Sequence, residues 1–274
     1  MAHTTTRPVV WITGASSGLG KATAEALLSA GWLVVAGARS FAEAGKPDER
    51  ALLRLPLDVT DQASVDAFID SALSHTGTPQ ALVCAAGILT LGPAAQYSDE
   101  HMRSVLDVCL MGTLRLVRGV LPLMISAGGG KVVAFSSING LMPTPFQGAY
   151  VAAKHALEGF CECLLMENRD KGIQVMLVEP GDHQGGAAKY RARCEGVSPA
   201  YQKSLDRVCA VIARDEGQGL DPARLGQKVA NALSRRKLPL RLRVASFSQH
   251  AAVILHDILP GRLFLHLLSK YYKV

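Results

Sequence analysis

A glycine-rich turn between a strand and a helix constrains the fold of this chain more than any other feature. Residues 9–13 are apolar and predict a strand, and residues 21–28 are strong helix formers. Between them, residues 14–20 read Gly-Ala-Ser-Ser-Gly-Leu-Gly. Glycines allow the backbone to approach a pyrophosphate closely, and a helix N-terminus offers free N–H groups and a positive dipole. This context predicts a dinucleotide-binding turn, which an isolated glycine triplet would not.

The rest of the chain continues the alternation of strand and helix. Strands are predicted at residues 32–39, 52–59, 81–87, 131–136 and 173–179, and helices after a cap at Thr60 or Asp61, over about 99–126, and from Tyr150 to about 170. Repeated βα units call for a parallel, doubly wound sheet. No repeat or linker divides the 274 residues. The prediction is therefore a single-domain α/β Rossmann fold over residues 1–274 with a C-terminal substrate-lid extension.

Tyr150 and Lys154 are four residues apart and would share one face of a helix. The Lys154 ammonium could favour ionisation of the phenol, whose ordinary pKa is about 10. Ser137 follows the strand at 131–136 and would place its hydroxyl at the carboxyl end of the sheet, where such sheets bind ligands. A lone Tyr-x-x-x-Lys pattern is more often a surface detail. Together with Ser137, it predicts three polar groups that converge on one substrate oxygen.

The end of the second predicted strand carries the residue expected to select a cofactor. Arg39 lies where an acidic side chain would bind the ribose hydroxyls of NAD and repel a 2′-phosphate. An arginine pairs with such a phosphate. NADP(H) is therefore favoured over NAD(H), and the alternative is that Arg39 is only a solvated residue at a strand end.

Composition and charge argue against several classes of function. No apolar signal core and no stretch of about 18 apolar residues is evident, so a soluble cytoplasmic protein is expected. The six cysteines are scattered, which predicts reduced thiols and no metal site. The net charge is +6, but basic residues are spread along the chain apart from residues 235–237, so nucleic acid is not an expected partner. A positive balance also suits an anionic cofactor.

With these motifs, the chain resembles the classical short-chain dehydrogenase/reductase family over nearly its whole length. Residues 14–20 look like the family's cofactor turn, 58–59 like its adenine-contacting pair, 85–87 like the core of its Asn-Asn-Ala-Gly motif, and 179–181 like its Pro-Gly turn near the nicotinamide. The implied cofactor-binding residues are Gly14, Ser16, Ser17, Gly18, Leu19, Gly20, Arg39, Asp58, Val59, Ala85, Ala86, Gly87, Tyr150, Lys154, Pro180 and Gly181.

The resemblance implies hydride transfer between nicotinamide C4 and a carbonyl or alcohol carbon. Tyr150 would act as acid in reduction and as base in oxidation. Lys154 would lower the pKa of Tyr150 and hydrogen-bond the nicotinamide ribose, while Ser137 polarises the substrate oxygen. Cys109 joins these implied catalytic residues, since it replaces an asparagine that in relatives shapes a kinked helix and holds a water on a proton relay. A thiol is a poor hydrogen-bonding partner, so turnover is expected to survive with an altered pH dependence.

Three other positions near the motifs depart from the family pattern or extend it. Cys84 replaces an asparagine, and packing is expected to replace one structural hydrogen bond. Gly185 stands where a threonine would contact the nicotinamide carboxamide, and Gln184 or a backbone group could substitute. The loop residue His183 is expected to be solvated, with substrate contact as the alternative.

The last third of the chain is expected to contact the substrate. Residues 182–222 would form the family's lid, and residues 238–244 predict another strand. Pro260-Gly261 divides the apolar stretch 251–268 into two short helices. This ending resembles the 17β-hydroxysteroid and retinol dehydrogenase-like branch, which implies a bulky apolar substrate such as a steroid or polycyclic ketone. Apolar C-terminal helices are more often core, lid or dimer surface, so membrane association is not expected.

The resemblance also implies a homodimer or homotetramer, with contacts through the helices around 100–125 and 150–170. A second function remains open from the sequence. A catalytically weak relative could bind NADP(H) and serve as a regulatory or assembly protein. The departures at Cys109 and Gly185 keep this alternative open, and the complete set of Ser137, Tyr150 and Lys154 argues against it.

Overall fold

The computed structural model describes residues 7–42, 48–185 and 191–274. Its strands are β1 (Val9–Thr13), β2 (Leu33–Ala38), β3 (Leu52–Pro56), β4 (Ala81–Cys84), β5 (Leu89–Leu91), β6 (Gly130–Phe135), β7 (Ile173–Pro180), β8 (Arg191–Arg193) and β9 (Arg241–Val244). Its α-helices are α1 (Gly18–Ser29), α2 (Gln62–Thr76), α3 (Asp99–Leu106), α4 (Gly112–Ser126), α5 (Gly148–Glu167), α6 (Pro199–Gly217), α7 (Pro222–Leu233), α8 (Phe247–Ile258) and α9 (Gly261–Tyr272).

Seven strands form one sheet in the order β3-β2-β1-β4-β6-β7-β9. Every neighbouring pair in this sheet is parallel. The chain moves outward from β1 in one direction through β3, and in the other direction from β4 onward. The prediction of a doubly wound α/β fold is confirmed. Ligands bind in such sheets at the carboxyl ends of the strands where the order reverses, which here is between β1 and β4.

Alternating side chains of the buried strands supply two core layers, one on each face of the sheet. Trp11 belongs to the layer beneath α2, α4 and α5, and its ring meets Phe68 edge to face at 6.1 Å. Ile12 points the other way, into the layer formed with Leu27 of α1 and Val229 of α7. An almost wholly apolar β1 is required because both of its faces are covered.

The segment 99–126 contains a change of helix type. Residues Asp107–Met111 form a π-helical turn between α3 and α4. By length and composition alone this combined helix could cross a membrane, contrary to the expectation that no stretch would qualify. Leu116, Val120 and Met124 of α4 are fully buried in the core layer that also holds Trp11. This packing favours a helix of the domain over a membrane span.

The short edge strand β9 is held to the sheet by charged side chains. Glu179 of β7 is fully buried, and its carboxylate lies 2.7 Å from Arg243 Nε and 3.0 Å from Arg241 Nε. Arg241 also reaches Glu158 at 3.0 Å and Glu162 at 2.6 Å on α5. Burial raises the pKa of Glu158 despite this contact. A buried carboxylate is tolerated only with such partners, so these arginines fix β9 beside β7.

Local signals in the sequence set several helix boundaries. Asp61, rather than Thr60, caps α2 by accepting the N–H of Ala63. Ser246 and Gln249 form a capping box that begins α8. The break at Pro260 separates α8 from α9 as predicted. The predicted strand 238–244 is shorter than expected, since only Arg241–Val244 pairs with β7.

The buried aromatic pair of the sheet layer gives a test of the packing. Phe68 is 1% exposed, so Phe68→Ala should lower the free energy of unfolding by about 3–5 kcal/mol. Phe247 is 89% exposed, and Phe247→Ala should change the free energy of unfolding by less than about 0.5 kcal/mol. Denaturant unfolding of both variants measures the difference. Equal losses in the two variants would contradict this description of the core.

Candidate active site

A cavity of about 800 Å³ lies along the carboxyl ends of the central strands. The glycine turn after β1 lines one end, and α8 and α9 line the other. All of the site residues predicted from the sequence line it except Cys109. The structure therefore brings the candidate cofactor residues and the candidate catalytic residues into one continuous space.

Backbone conformation and close packing both explain the glycines of the turn. Gly14 has φ +66° and Gly18 has φ +53°, a left-handed conformation that glycine adopts without strain. A Cβ on Gly14 would lie 2.7 Å from the backbone nitrogen of Ala86. The turn ends at the N-terminus of α1, with Ser17 in the cap position. These residues fit a dinucleotide pyrophosphate, because the backbone can approach it and the helix dipole favours negative charge.

The Thr13 hydroxyl connects this turn to the neighbouring strand. Thr13 is buried at the end of β1, and its Oγ1 accepts hydrogen bonds from Ala85 N at 3.1 Å and Ala86 N at 3.3 Å. Beyond β4 the chain leaves the sheet, so these N–H groups have no strand partner. The hydroxyl holds the Ala-Ala-Gly segment against the glycine turn.

Asp58 and Arg39 lie together at the outer end of the cavity. Burial acts to raise the pKa of Asp58, but the Thr60 backbone N–H at 2.9 Å and the Thr60 hydroxyl at 2.7 Å outweigh it. The positive charges of Arg39 and Arg115 also help to hold that pKa below its ordinary value. Arg39 is exposed at the end of β2 with Ser40 beside it on the cavity wall. A cation and a hydroxyl there can bind an anionic group of a ligand.

The three candidate catalytic side chains come from two adjacent elements. Ser137 follows β6, and Tyr150 and Lys154 lie on one face of α5, with Lys154 Nζ 5.4 Å from the Tyr150 ring centroid. Lys154 is buried and donates a hydrogen bond to Phe135 O at 2.6 Å. This bond to the end of β6 fixes the lysine beneath the phenol.

The ionisation of Tyr150 is set by opposing effects. Burial raises its pKa above the ordinary value, which the Lys154 charge and a hydrogen bond with Ser137 partly counteract. The net shift is upward, so the sequence-based expectation of a lowered pKa is wrong for the protein by itself. The lysine acts in the expected direction, but desolvation of the phenol is larger.

A buried polar network next to Ser137 was not predicted. Asn139 N donates to Ser137 Oγ at 3.1 Å, and the serine hydroxyl also hydrogen-bonds with Tyr150. The Asn139 amide donates to Gln147 at 2.7 Å and accepts from Thr144 at 2.9 Å. Phe146, just before Gln147, has φ +61°, a strained conformation for this residue type. The Ser-x-Asn turn was the available sequence signal, since such side chains cap their own backbone.

Cys109 lies behind the cavity within the π-helical turn. It is fully buried, and its Sγ lies 3.3 Å from Ile88 O and 3.5 Å from Ile88 N, so the thiol both donates and accepts. Among the hydrogen bonds of the described residues, none joins Cys109 to Lys154. The kinked helix thus persists with cysteine, and its side chain is tied to the segment after β4. The altered relay remains a prediction.

Cys84 also has a partner, contrary to the expectation of packing alone. Its thiol is buried and hydrogen-bonds with the Thr113 side chain. Burial raises the pKa of Cys84 to about 12, so the thiol stays protonated. Cys84 is therefore a structural link between β4 and α4.

The loop after β7 differs from the prediction. His183 is buried and lines the cavity rather than being solvated, and its Nδ1 lies 2.9 Å from Gly181 O. Burial lowers the pKa of His183, and Nε2 of the imidazole has no partner. Gln184, the proposed substitute for threonine, is exposed and outside the cavity lining, while Gly185 lines it. No local sequence signal indicated this burial, which results from pairing of the loop with Leu220.

The far end of the cavity combines an apolar wall with acidic groups. The apolar side chains are Met142, Ala252, Leu255, Phe264, Leu267 and Leu268. Asp182, Asp215 and Glu216 also line this end. Of the predicted lid, residues 186–190 lie outside the described part, and α6 carries Asp215 and Glu216.

Known proteins are similar to this chain in sequence and in structure. A family profile described as short chain dehydrogenase matches residues 8–193. A 3-ketodihydrosphingosine reductase of Bacteroides thetaiotaomicron is 32% identical over 270 residues, 97% of this chain and 98% of that protein. Human 17-beta-hydroxysteroid dehydrogenase type 1 is 38% identical over 187 residues, 64% of this chain and 56% of that protein. A short-chain dehydrogenase structure from Streptomyces avermitilis has 29% identity and a TM-score of 0.81, covering 100% of this chain and 98% of that one.

Asp182 gives a pH-dependent test of this site. Burial and the nearby charges of Asp215 and Glu216 raise its pKa from 3.8 to about 6. Between these pH values the folded protein holds a proton that the unfolded chain releases, so this carboxyl makes the protein less stable as pH rises. Asp182→Asn can still accept from Gln249, which now donates to Asp182 at 2.6 Å. We expect it to raise the free energy of unfolding by about 1–3 kcal/mol at neutral pH.

That gain should disappear near the lower of the two pKa values. Urea unfolding of wild type and Asp182→Asn, at neutral pH and near pH 3.8, measures this difference in the free energy of unfolding. Asp70→Asn, on the exposed side of α2, is the matched control and should show no such pH-dependent gain. An Asp182→Asn gain that is the same at both limits would refute a raised pKa.

Proposed function

The chain belongs to the short-chain dehydrogenase family and is an oxidoreductase, and we propose that it uses NADP(H) to interconvert a carbonyl and a secondary alcohol on a bulky apolar substrate. One observation carries this proposal. Ser137, Tyr150 and Lys154 meet the glycine turn within a single cavity. A proton donor and a nucleotide cradle in one space are what hydride transfer to a carbonyl requires.

Each of the three side chains has a defined task in this proposal. When bound, the nicotinamide cofactor supplies or accepts the hydride. Tyr150 donates a proton to the substrate oxygen in reduction and accepts it in oxidation. Ser137 donates its hydroxyl proton to the same oxygen, while its own oxygen accepts a hydrogen bond from Asn139 N. Lys154 stabilises the phenolate, and only one of its three N–H groups is used by Phe135 O.

The preference for NADP(H) is supported by Arg39. The family binds NAD(P) cofactors, and the choice between them is proposed for this chain. No acidic residue follows β2 at the position that would bind the ribose hydroxyls. Arg39 and Ser40 line the cavity there instead and can bind a 2′-phosphate.

The proposal of an apolar substrate is supported by the cavity wall of α8 and α9. Phe264 and Val253 pack on Ile138 and Met142, directly beyond Ser137, so the apolar wall begins beside the candidate catalytic serine. Relatives named for a sphingoid ketone and a hydroxysteroid agree with a substrate of this kind. A homodimer or homotetramer is proposed as well, on the family resemblance.

A test of Tyr150 separates this enzyme from a catalytically weak regulatory or assembly protein. Wild type should oxidise NADPH with at least one ketone of a panel that spans small polar and bulky apolar compounds. Tyr150→Phe should lower kcat by about 10²–10⁴-fold, because the proton donor is lost, while NADPH binding stays within about threefold. Absorbance of the reduced nicotinamide measures turnover.

Tyr201→Phe, an exposed tyrosine on α6, is the control and should keep wild-type kcat. Reduction that persists unchanged in Tyr150→Phe would remove this residue from the mechanism. Absence of turnover with the whole panel, despite NADPH binding, would favour the regulatory or assembly protein.

Arg39 tests the cofactor choice. Arg39→Ala should weaken NADPH binding about tenfold or more, because a charge-assisted hydrogen bond to the 2′-phosphate is lost. NADH binding should change less than about twofold, since NADH lacks that phosphate. Fluorescence titration with both cofactors measures this, with Arg235→Ala, an exposed arginine after α7, as the control. Equal weakening of NADPH and NADH would show that Arg39 does not select the cofactor.

A further inference from the structure

The two C-terminal helices carry an unusual concentration of exposed apolar side chains. Of the twelve large hydrophobic side chains that are exposed in the described residues, nine lie between residues 247 and 274. These nine, here named the C-terminal apolar surface, are Phe247, Ile254, Leu255, Ile258, Leu263, Leu265, Leu267, Tyr271 and Val274. Scattered exposed apolar residues need no explanation, but a contiguous group of this kind marks an interaction surface.

Helical spacing places six of these nine side chains in two rows, one on each helix. On α8, Phe247, Ile254 and Ile258 follow the seven- and four-residue spacing of one helix face, while Val253 is buried against the domain. On α9, Leu263, Leu267 and Tyr271 repeat every four residues and are exposed. The adjacent row of α9, which contains Phe264 and Leu268, packs on the domain. Each helix therefore has one apolar face that packs and one that is exposed, although on α9 the Tyr271 hydroxyl donates to Asp215 at 2.8 Å and its ring lies 5.6 Å from Arg214.

A basic row lies beside the apolar row of α9. Arg262, His266, Lys270 and Lys273 are exposed, and each precedes or lies close to a member of the C-terminal apolar surface. Among the described residues, no acidic side chain pairs with Arg262, Lys270 or Lys273. Residues 246–274 contain these three basic side chains and one acidic residue, Asp257. Apolar and basic rows in parallel are typical of helices that lie in the interface of an anionic membrane.

The same surface surrounds the entrance to the cavity. Leu255 is 40% exposed, Leu267 46% and Tyr271 51%, and all three also line the cavity. An apolar molecule that entered between these side chains would pass along Ala252, Leu255, Phe264 and Leu268 to the space beside Ser137, with Ser248, Gln249 and Asp215 on the same cavity wall. The surface is thus continuous with the site to which the proposed function assigns catalysis.

We propose that α8 and α9 seat on an anionic lipid bilayer, with the cavity entrance facing the membrane, so that the apolar substrate is taken from the lipid phase. The proposal rests on the proposed function for its substrate, but the docking surface rests on exposure and charge alone. A second copy of the chain on this surface would bring like charges together and cover the entrance. The sequence alone disfavoured membrane association because it could not show which apolar residues stay exposed.

The first test measures binding to vesicles by flotation. Wild type should bind vesicles of phosphatidylcholine and phosphatidylglycerol in equal parts more tightly than vesicles of phosphatidylcholine alone. Ile254→Glu/Leu263→Glu should weaken binding at least about tenfold, because two inserted apolar side chains become charged. Neither residue lines the cavity, so reduction of a water-soluble ketone should be unchanged. Met166→Glu is the matched control, since Met166 is 70% exposed on α5, and it should bind as wild type does.

The second test concerns charge. Arg262→Gln/Lys270→Gln should weaken binding to the mixed vesicles on the order of 20-fold, since each basic residue near an anionic surface contributes about fivefold. Binding to pure phosphatidylcholine should change little. Arg236→Gln/Lys237→Gln, which removes two charges after α7, is the control and should leave both affinities as they are.

The outcomes separate this inference from the proposed function. Failure of wild type to bind either vesicle, or equal loss in Met166→Glu, would overturn the membrane surface. So would an Ile254→Glu/Leu263→Glu protein that still binds vesicles but changes from dimer to monomer, because the surface would then join two copies. Vesicle binding that is weakened by the apolar and the charge substitutions as predicted supports the membrane-binding surface. If such a protein reduces no ketone, the proposed function fails and the membrane-binding surface stands.

Discussion

The candidate active site depends on two hydrogen bonds that the Thr13 hydroxyl accepts. They join the end of β1 to the first residues after β4, where the order of the sheet reverses and no strand can pair with those N–H groups. The glycine turn is pressed against the same backbone, so that a Cβ on Gly14 would collide with it. One buried threonine therefore positions both the glycine turn and the segment after β4, in which Ile88 contacts Cys109.

The candidate catalytic groups are positioned from the other side of this crevice. The buried Lys154 is tied to the end of β6, and Ser137 is oriented by Asn139 within a network of buried amides and hydroxyls. Desolvation raises the pKa of Tyr150 more than the lysine lowers it.

Much of the fold was predictable because its signals are local. Apolar strands, the glycine turn and the Pro260 break each depend on a few neighbouring residues. The structure confirms the doubly wound sheet, and the similarity to known proteins confirms the family. The outcomes at His183, Gln184 and Cys84 were not predictable. The loop that carries His183 and Gln184 pairs with Leu220, and Cys84 hydrogen-bonds with Thr113, and both partners are distant in sequence. The catalytic and cofactor roles of the site residues stay predictions, although the structure gathers all but Cys109 around one cavity.

The sequence by itself determined the order of strands and helices, the conformation of the glycine turn, and the spacing of Tyr150 and Lys154 on one helix face. These follow from backbone preferences and from the period of the α-helix, which require no knowledge of distant contacts. Only the tertiary structure decided which side chains are desolvated and which remain exposed. That is why the direction of the Tyr150 pKa, the partners of Cys109 and the exposed apolar faces of α8 and α9 emerge only after packing, since each is set by groups far away in the chain.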